Sequence, residues 1–281
     1  MARCGWTDCR SWRPDLLAER GRAGVVFDGA WYCSRSCVER AAARALEAAG
    51  RPVPSTGPIP IPPLKLGMLL VHQGALTPVQ LEAALMAQRG SGLRLGELLR
   101  REKTVGRLAL LQALAAQSGA PYLPVLDPSV VRHAPAALSP NAVRALGLIP
   151  FEVDLERRRV KVACAAPVPR LALRALAELT GWVADPFIVD DEQMPLLHQA
   201  YAAGLAERHR AGDLARPTSI PVAAAHIAQV AVRRQGTRLR HVRCDPFLWI
   251  RLEGGQDPDD VIVRAGVKAQ EQPWQAEHTS H

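Results

Sequence analysis

Shifting the chain against itself by 29 residues lays Lys65-Leu66-Gly67-Met68-Leu69-Leu70 over Arg94-Leu95-Gly96-Glu97-Leu98-Leu99, and ten of the 26 positions so paired from 65 to 90 are identical. Each copy has the form basic-Leu-Gly-x-Leu-Leu, a break, then Leu-x3-Leu-x2-Gln, ending in Leu81, Leu85 and Gln88 or in Leu110, Leu114 and Gln117. Leucines spaced by three and four fall on one helical face, so each copy predicts a helical hairpin. Leu69, Leu70, Leu98 and Leu99 are expected to be packing residues. The first break is Gly74-Ala75-Leu76, followed by Thr77-Pro78-Val79-Gln80, where Thr caps, Pro takes the first helical position and Gln completes a capping box. The second, Lys103-Thr104-Val105-Gly106, has poorer turn chemistry.

After the repeat come Pro121-Tyr122-Leu123-Pro124-Val125, helices expected over 127–133 and 139–146, and the stretch Leu148-Ile149-Pro150-Phe151-Glu152-Val153. Alternating apolar residues then predict strands over 159–167 and 182–189, and three-four spacing predicts helices over 171–179 and 192–203. The fold class expected for the whole chain is α+β. It comprises a small N-terminal domain at 1–50, a tandem helical-hairpin repeat over 64–146, and an α/β part over 147–205 with helices packed on a short sheet.

The paired basic-Leu-Gly and Leu-x3-Leu-x2-Gln motifs resemble the MshE-type N-terminal domain of type II secretion and type IV pilus assembly ATPases, over residues 64–205. The resemblance implies a ligand, cyclic di-GMP, with one half on each copy. Arg94, Leu95, Gly96, Leu110, Leu114 and Gln117 match one full half-site; Lys65, Leu66, Gly67, Leu81, Leu85 and Gln88 match the other imperfectly. Arginine can donate two hydrogen bonds to guanine O6 and N7, glycine lets backbone approach a ligand, and a helix N-terminus offers N–H groups to phosphate. Lysine is a point charge without that planar fork, so Lys65 weakens its half-site. Lys103, where the first copy has Gly74, is expected to change the turn or to add a phosphate contact.

An assembly ATPase would also carry Gly-x4-Gly-Lys-Ser/Thr, and no such run occurs here. The expectation is therefore a non-enzymatic module lacking the ATPase domain, which reports cyclic di-GMP to protein components of a secretion, pilus or motility machine. The alternative is a structural docking adaptor whose nucleotide site has decayed.

Four of the six cysteines fall within the first 37 residues, as Cys4-x4-Cys9 and Cys33-x3-Cys37. Two pairs of thiolates suit a closed tetrahedral zinc site with no open position for catalysis. A hairpin turning at Asp28-Gly29 would deliver Cys33, and Cys37 would open a helix over 38–49, as in a treble-clef-type finger at 1–50. Buried free thiols are the plainer alternative, but so short a segment has too little core to fold unaided.

Prolines 52, 54, 58, 60, 62 and 63 mark a connector at 51–63. A second connector is expected at 206–221, and the polar tail at 267–281 is expected to fray. Between them, 222–266 reads as a helix over 223–236 and a hairpin over 237–254, a faint resemblance to the second N-terminal domain of the same ATPases. The net charge of +8 is spread as single arginines along helices, and the finger helix has only Arg40 and Arg44, so nucleic acid is not an expected partner. With neither a secretion signal nor a run of apolar residues long enough to span a membrane, the chain is expected to be cytoplasmic. Cys164 is expected in the core, His241 and Cys244 on opposite faces of a strand, and His72, His133 and His198 on solvated helix faces.

Overall fold

A computed structural model of the chain describes residues 2–13, 24–51, 64–135, 137–208, 219–254 and 259–264. The connector expected at 51–63 apart from Arg51, residues 209–218 of the second connector and the tail at 267–281 lie outside the described residues. The architecture is α+β, and no helix among the described residues is long and apolar enough to cross a membrane.

The repeat forms two helical hairpins, α2 (Leu66–His72) with α3 (Pro78–Ser91) and α4 (Leu95–Arg101) with α5 (Arg107–Ser118). Their common core is built from equivalent residues: Leu70 with Leu99, Leu76 with Val105, and Ala84 with Ala113. Thr77 and Gln80 form the expected capping box, whereas α5 starts at Gly106 without a side-chain cap. Leu98 is buried and Leu69 is partly so.

Both breaks turn in the same way. Gly74 has φ +71° and Lys103 φ +54°, and the amides of Ala75 and Thr104 donate to the carbonyls of Leu70 and Leu99 at 2.9 and 3.0 Å. This is a helix stop that reaches the left-handed region, which a lysine enters only at a cost. Lys103 therefore preserves the turn, so of the two effects expected of it the altered turn is not found.

In the α/β part, β5 (Ile149–Asp154) runs antiparallel to β6 (Arg159–Cys164), and β6 runs parallel to β7 (Val183–Ile188) through the crossover helix α8 (Arg170–Thr180). Helices α6 (Pro128–His133), α7 (Pro140–Leu146) and α9 (Met194–Arg208) complete the packing over Val160, Val162 and Cys164, with Tyr201 of α9 in the same core. Helix α5 serves two cores, with Leu110 and Ala113 in the repeat and Leu111 and Ala115 against the α/β part. Burial pushes the Cys164 thiol up to about 12, as an inert core residue requires. His72 and His133 are exposed as expected; His198 is partly buried, and burial followed by the charge of Arg144 pulls its pKa down.

The N-terminal segment expected as a finger and residues 219–264 share one core. The finger contributes β1 (Ala2–Arg3), β2 (Trp12–Arg13), the hairpin β3 (Val25–Phe27) and β4 (Ala30–Tyr32), and α1 (Arg35–Ala49). Helix α10 (Ile220–Arg234) lies against α1, and residues 236 and 237 bond to the β3–β4 hairpin: Gly236 N–H donates to Val26 O at 2.8 Å, and Asp28 N–H donates to Thr237 O at 2.7 Å. After α10, β8 (Arg238–Cys244) and β9 (Phe247–Glu253) form the expected hairpin, with His241 exposed and Cys244 buried.

A third strand, β10 (Asp259–Arg264), pairs with β9 and was not expected. Leu248, Ile250 and Leu252 on one face of β9 pack with the finger and α10, while Trp249 on the other face enters the α/β core. The sheet thus cements the finger to the middle of the chain. Consecutive aspartates at 259 and 260 hid β10 in the sequence, because buried strands disfavour them. Asp260 is accommodated by three groups: Trp249 Nε1–H donates to it at 3.0 Å, the Ser139 amide at 3.3 Å, and Arg251 lies 3.6 Å away.

Candidate functional site

The finger brings all four expected cysteines together, with Cys4, Cys9, Cys33 and Cys37 placing their sulfurs within 4.8 Å of one another. The Cys4 amide donates to Ser11 O at 3.0 Å and the Cys9 amide to Trp6 O at 2.9 Å, so backbone closes the knuckle on which the first pair stands. The second pair follows the hairpin. Asp28 and Gly29 turn it with φ +49° and +75°, Cys33 follows β4, and Ser34 caps α1 by accepting the amide of Cys37.

Cys33 Sγ lies 3.6 Å from both Cys9 Sγ and Cys37 Sγ. Four thiolates about 2.3 Å from one tetrahedral ion stand about 3.8 Å apart, so the donor set fits a closed structural metal site. Hydrogen bonding to Ser11 draws the Cys9 thiol down to about 6, while burial pushes Cys37 up to about 12 and Cys4 in the same direction.

The second candidate site is a cleft of about 560 Å³ between the repeat and the α/β part. All six residues of the complete second motif line it: Arg94, Leu95, Gly96, Leu110, Leu114 and Gln117. From the first motif only Leu66 joins them. Lys65 and Leu85 are exposed, Leu81 and Gln88 partly buried, and Gly67 buried, all outside the lining of this cleft.

The glycines and glutamines of the motifs also have internal tasks. A Cβ on Gly67 would stand 2.4 Å from Leu81 Cδ1, and one on Gly96 3.3 Å from Leu66 Cδ2, so both permit close helix packing. Gln88 Nε2 donates to Leu93 O at 3.0 Å, and Gln117 Nε2 to Leu64 O at 2.7 Å.

The far wall of the cleft comprises Ala166, Pro167, Val189, Asp190 and Asp191, none of them a residue that the motifs identified. Arg100 and Arg107 complete the near wall and form ion pairs with Asp191 and Asp190 respectively. Three arginines and three carboxylates, Asp190, Asp191 and Glu97, thus line the cleft, which is close to neutral. The available sequence signal was an acidic run, Asp190-Asp191-Glu192, set against two arginines that the first copy lacks.

No protein-family model matches the chain. The type IV pilus assembly ATPase PilB of Thermus thermophilus is 29% identical over 123 residues, which is 44% of this chain and 14% of that protein. The chain therefore spans a small part of that relative's length. A solved structure of MshE with cdg is similar over 49% of this chain and 98% of its own, at 27% identity and a TM-score of 0.41. The N-terminal domain of XpsE is similar over 48% and 92%, at 19% identity and a TM-score of 0.36.

Proposed function

We propose that this chain, whose middle is like the N-terminal domains of secretion and pilus ATPases, is a non-enzymatic regulatory module that binds cyclic di-GMP in the cleft and signals to a secretion, pilus or motility machine. The observation that carries this proposal is the convergence of the whole second motif on one cavity. Its volume of about 560 Å³ suits a nucleotide-sized ligand, since pockets for such molecules run from about 300 to 1,000 Å³. Arg94 is exposed and caps α4 without a side-chain hydrogen bond to the helix, so its guanidinium is available to a guanine edge. Lys65 holds the equivalent place at the start of α2, exposed and outside the lining of the cleft, from which it would offer one charge to the other half of the ligand. Similarity to a pilus assembly ATPase supports the class of machine.

In the same proposal the four cysteines hold Zn²⁺ as a structural ion, and 1–50 acts with 222–266 as one platform beside the 64–205 module. A metal in that position would staple the finger and so steady the sheet that packs on it.

A ligand-free docking adaptor is the second reading. It is favoured by the balanced charge of the cleft, where Arg100 and Arg107 already have carboxylate partners. Isothermal titration with cyclic di-GMP, with GTP and cyclic di-AMP as controls, separates the two. Saturable binding selective for cyclic di-GMP supports the receptor, and no heat at high micromolar ligand supports the adaptor.

A further inference from the structure

The cleft is bridged by ion pairs that the repeat does not require. Arg100 and Arg107 correspond to Val71 and Pro78 of the first copy, so they lie outside the symmetric scaffold. Arg100, in the last turn of α4, pairs with Asp191 and stands 3.7 Å from Glu192 and 3.9 Å from Asp190. Arg107, the first residue of α5, pairs with Asp190 and stands 3.7 Å from Glu192. The three carboxylates occupy the turn between β7 and α9, where Asp190 and Asp191 line the opposite wall of the cleft.

These carboxylates are not equivalent. The Asp190 side chain is 7% exposed and accepts the Glu192 amide at 3.0 Å. Burial pushes its carboxyl up, but that amide and the Arg107 guanidinium outweigh burial and hold it below the usual range. Asp191 and Glu192 are 55% and 57% exposed, so water can replace an arginine there at little cost. Stripping Arg107 from Asp190 would instead leave a buried charge with only Arg100, 3.9 Å away, to face it.

We propose that Arg100 and the exposed carboxylates Asp191 and Glu192 form an exchangeable charge latch, anchored by the fixed pair Arg107–Asp190. Without ligand, Arg100 neutralises the acidic turn and holds the α/β wall to the repeat. When a ligand bearing ionised phosphate enters, Arg100 turns to the phosphate while Arg107 remains on Asp190. Asp191 and Glu192 are internal competitors for the arginine, so a ligand must bring enough negative charge to displace them. The latch deepens the reading of the cleft as a nucleotide site and rests on it.

Cyclic di-GMP is titrated into the parent protein and into an Asp191→Asn/Glu192→Gln variant at low and high salt. With the competitors neutralised, the variant binds about threefold to tenfold more tightly at low salt, and salt narrows the gap. Equal affinity in the two proteins overturns the latch and leaves the nucleotide reading standing. Binding to neither removes the nucleotide reading, and the latch is then judged on ligand-free protein by amide hydrogen exchange. The Glu192 and Gln193 amides, which bond to Asp190, exchange several-fold faster in Arg100→Ala if the latch holds the turn. Unchanged exchange there overturns it.

Discussion

Gln117 Nε2 donates to the carbonyl oxygen of Leu64 at 2.7 Å, and one repeat earlier Gln88 makes the same bond to Leu93 at 3.0 Å. Each glutamine closes on the residue that precedes a basic-Leu-Gly motif, Gln88 reaching forward to the second and Gln117 back to the first. The two hairpins are therefore tied head to tail in a ring. Recurrence of the glutamines has a structural cause whether or not they also meet a ligand.

Gln117→Ala should lower the stability of the ligand-free protein by about 1 kcal/mol, the usual net worth of one such hydrogen bond, as read from the midpoint of urea unfolding. A variant as stable as the parent would assign Gln117 to ligand alone.

Lys103 occupies at φ +54° the turn that Gly74 makes at φ +71°. A side chain in the left-handed region costs about 1–2 kcal/mol, partly offset by the greater freedom of glycine in the unfolded chain. Lys103→Gly should accordingly raise stability by about 1 kcal/mol without changing the cleft. Loss of cyclic di-GMP affinity in that variant would instead identify Lys103 as a phosphate contact.

Arg94→Ala should abolish nucleotide binding, since it removes the planar fork from the complete half-site, while Lys65→Arg should tighten it by restoring that fork to the other half. Titration of the two variants side by side checks both directions. An Arg94→Ala protein that bound like the parent would show the half-site to be wrongly assigned.

Removing the proposed metal from the four cysteines should disturb more than the finger. Phe27, Val38 and Leu46 of the finger share a core with Ile227, Leu248 and Ile250, and the 236–237 segment bonds directly to β3. Chelation should therefore speed hydrogen exchange in α10 and β9 as well as in α1, while the repeat hairpins stay protected. Exchange confined to residues 2–50 would mean that the C-terminal sheet stands without the finger.

The features legible in the sequence were those written in local spacing. The leucine period and repeated glycines disclosed the hairpins, and paired cysteines around Asp28-Gly29 disclosed the four-cysteine cluster. Features created by distant segments were not legible. The Val26 amide donates to Gln235 at a separation of 209 residues, and no local pattern announces such a meeting. Likewise the motifs gave one wall of the cleft, while Ala166, Pro167 and Asp190 reach it only through the β6–α8 and β7–α9 connections. Val261 and Val263 read as strand residues only once Asp260 has found Trp249 and Ser139.

Asp260 gives a pH dependence whose sign follows from its burial. Burial raises its carboxyl pKa above the ordinary value, outweighing the nearby Arg251 charge and the hydrogen bonds from Trp249 and Ser139. Between the unfolded and folded pKa values the native state holds the extra proton, so this group's contribution is greatest below the unfolded pKa, about 3.9 for aspartate, and is lost as pH rises through the folded one. The carboxamide introduced by Asp260→Asn cannot ionise, and its lost acceptor toward the Ser139 amide is a penalty that does not vary with pH. The stability difference between variant and parent should thus move in favour of the variant as pH is raised from about 4 to 7, in paired urea titrations. A difference that moved toward the parent would mean that Arg251 and Trp249 outweigh burial, making Asp260 a stabilising charge at the junction between the sheet and α7.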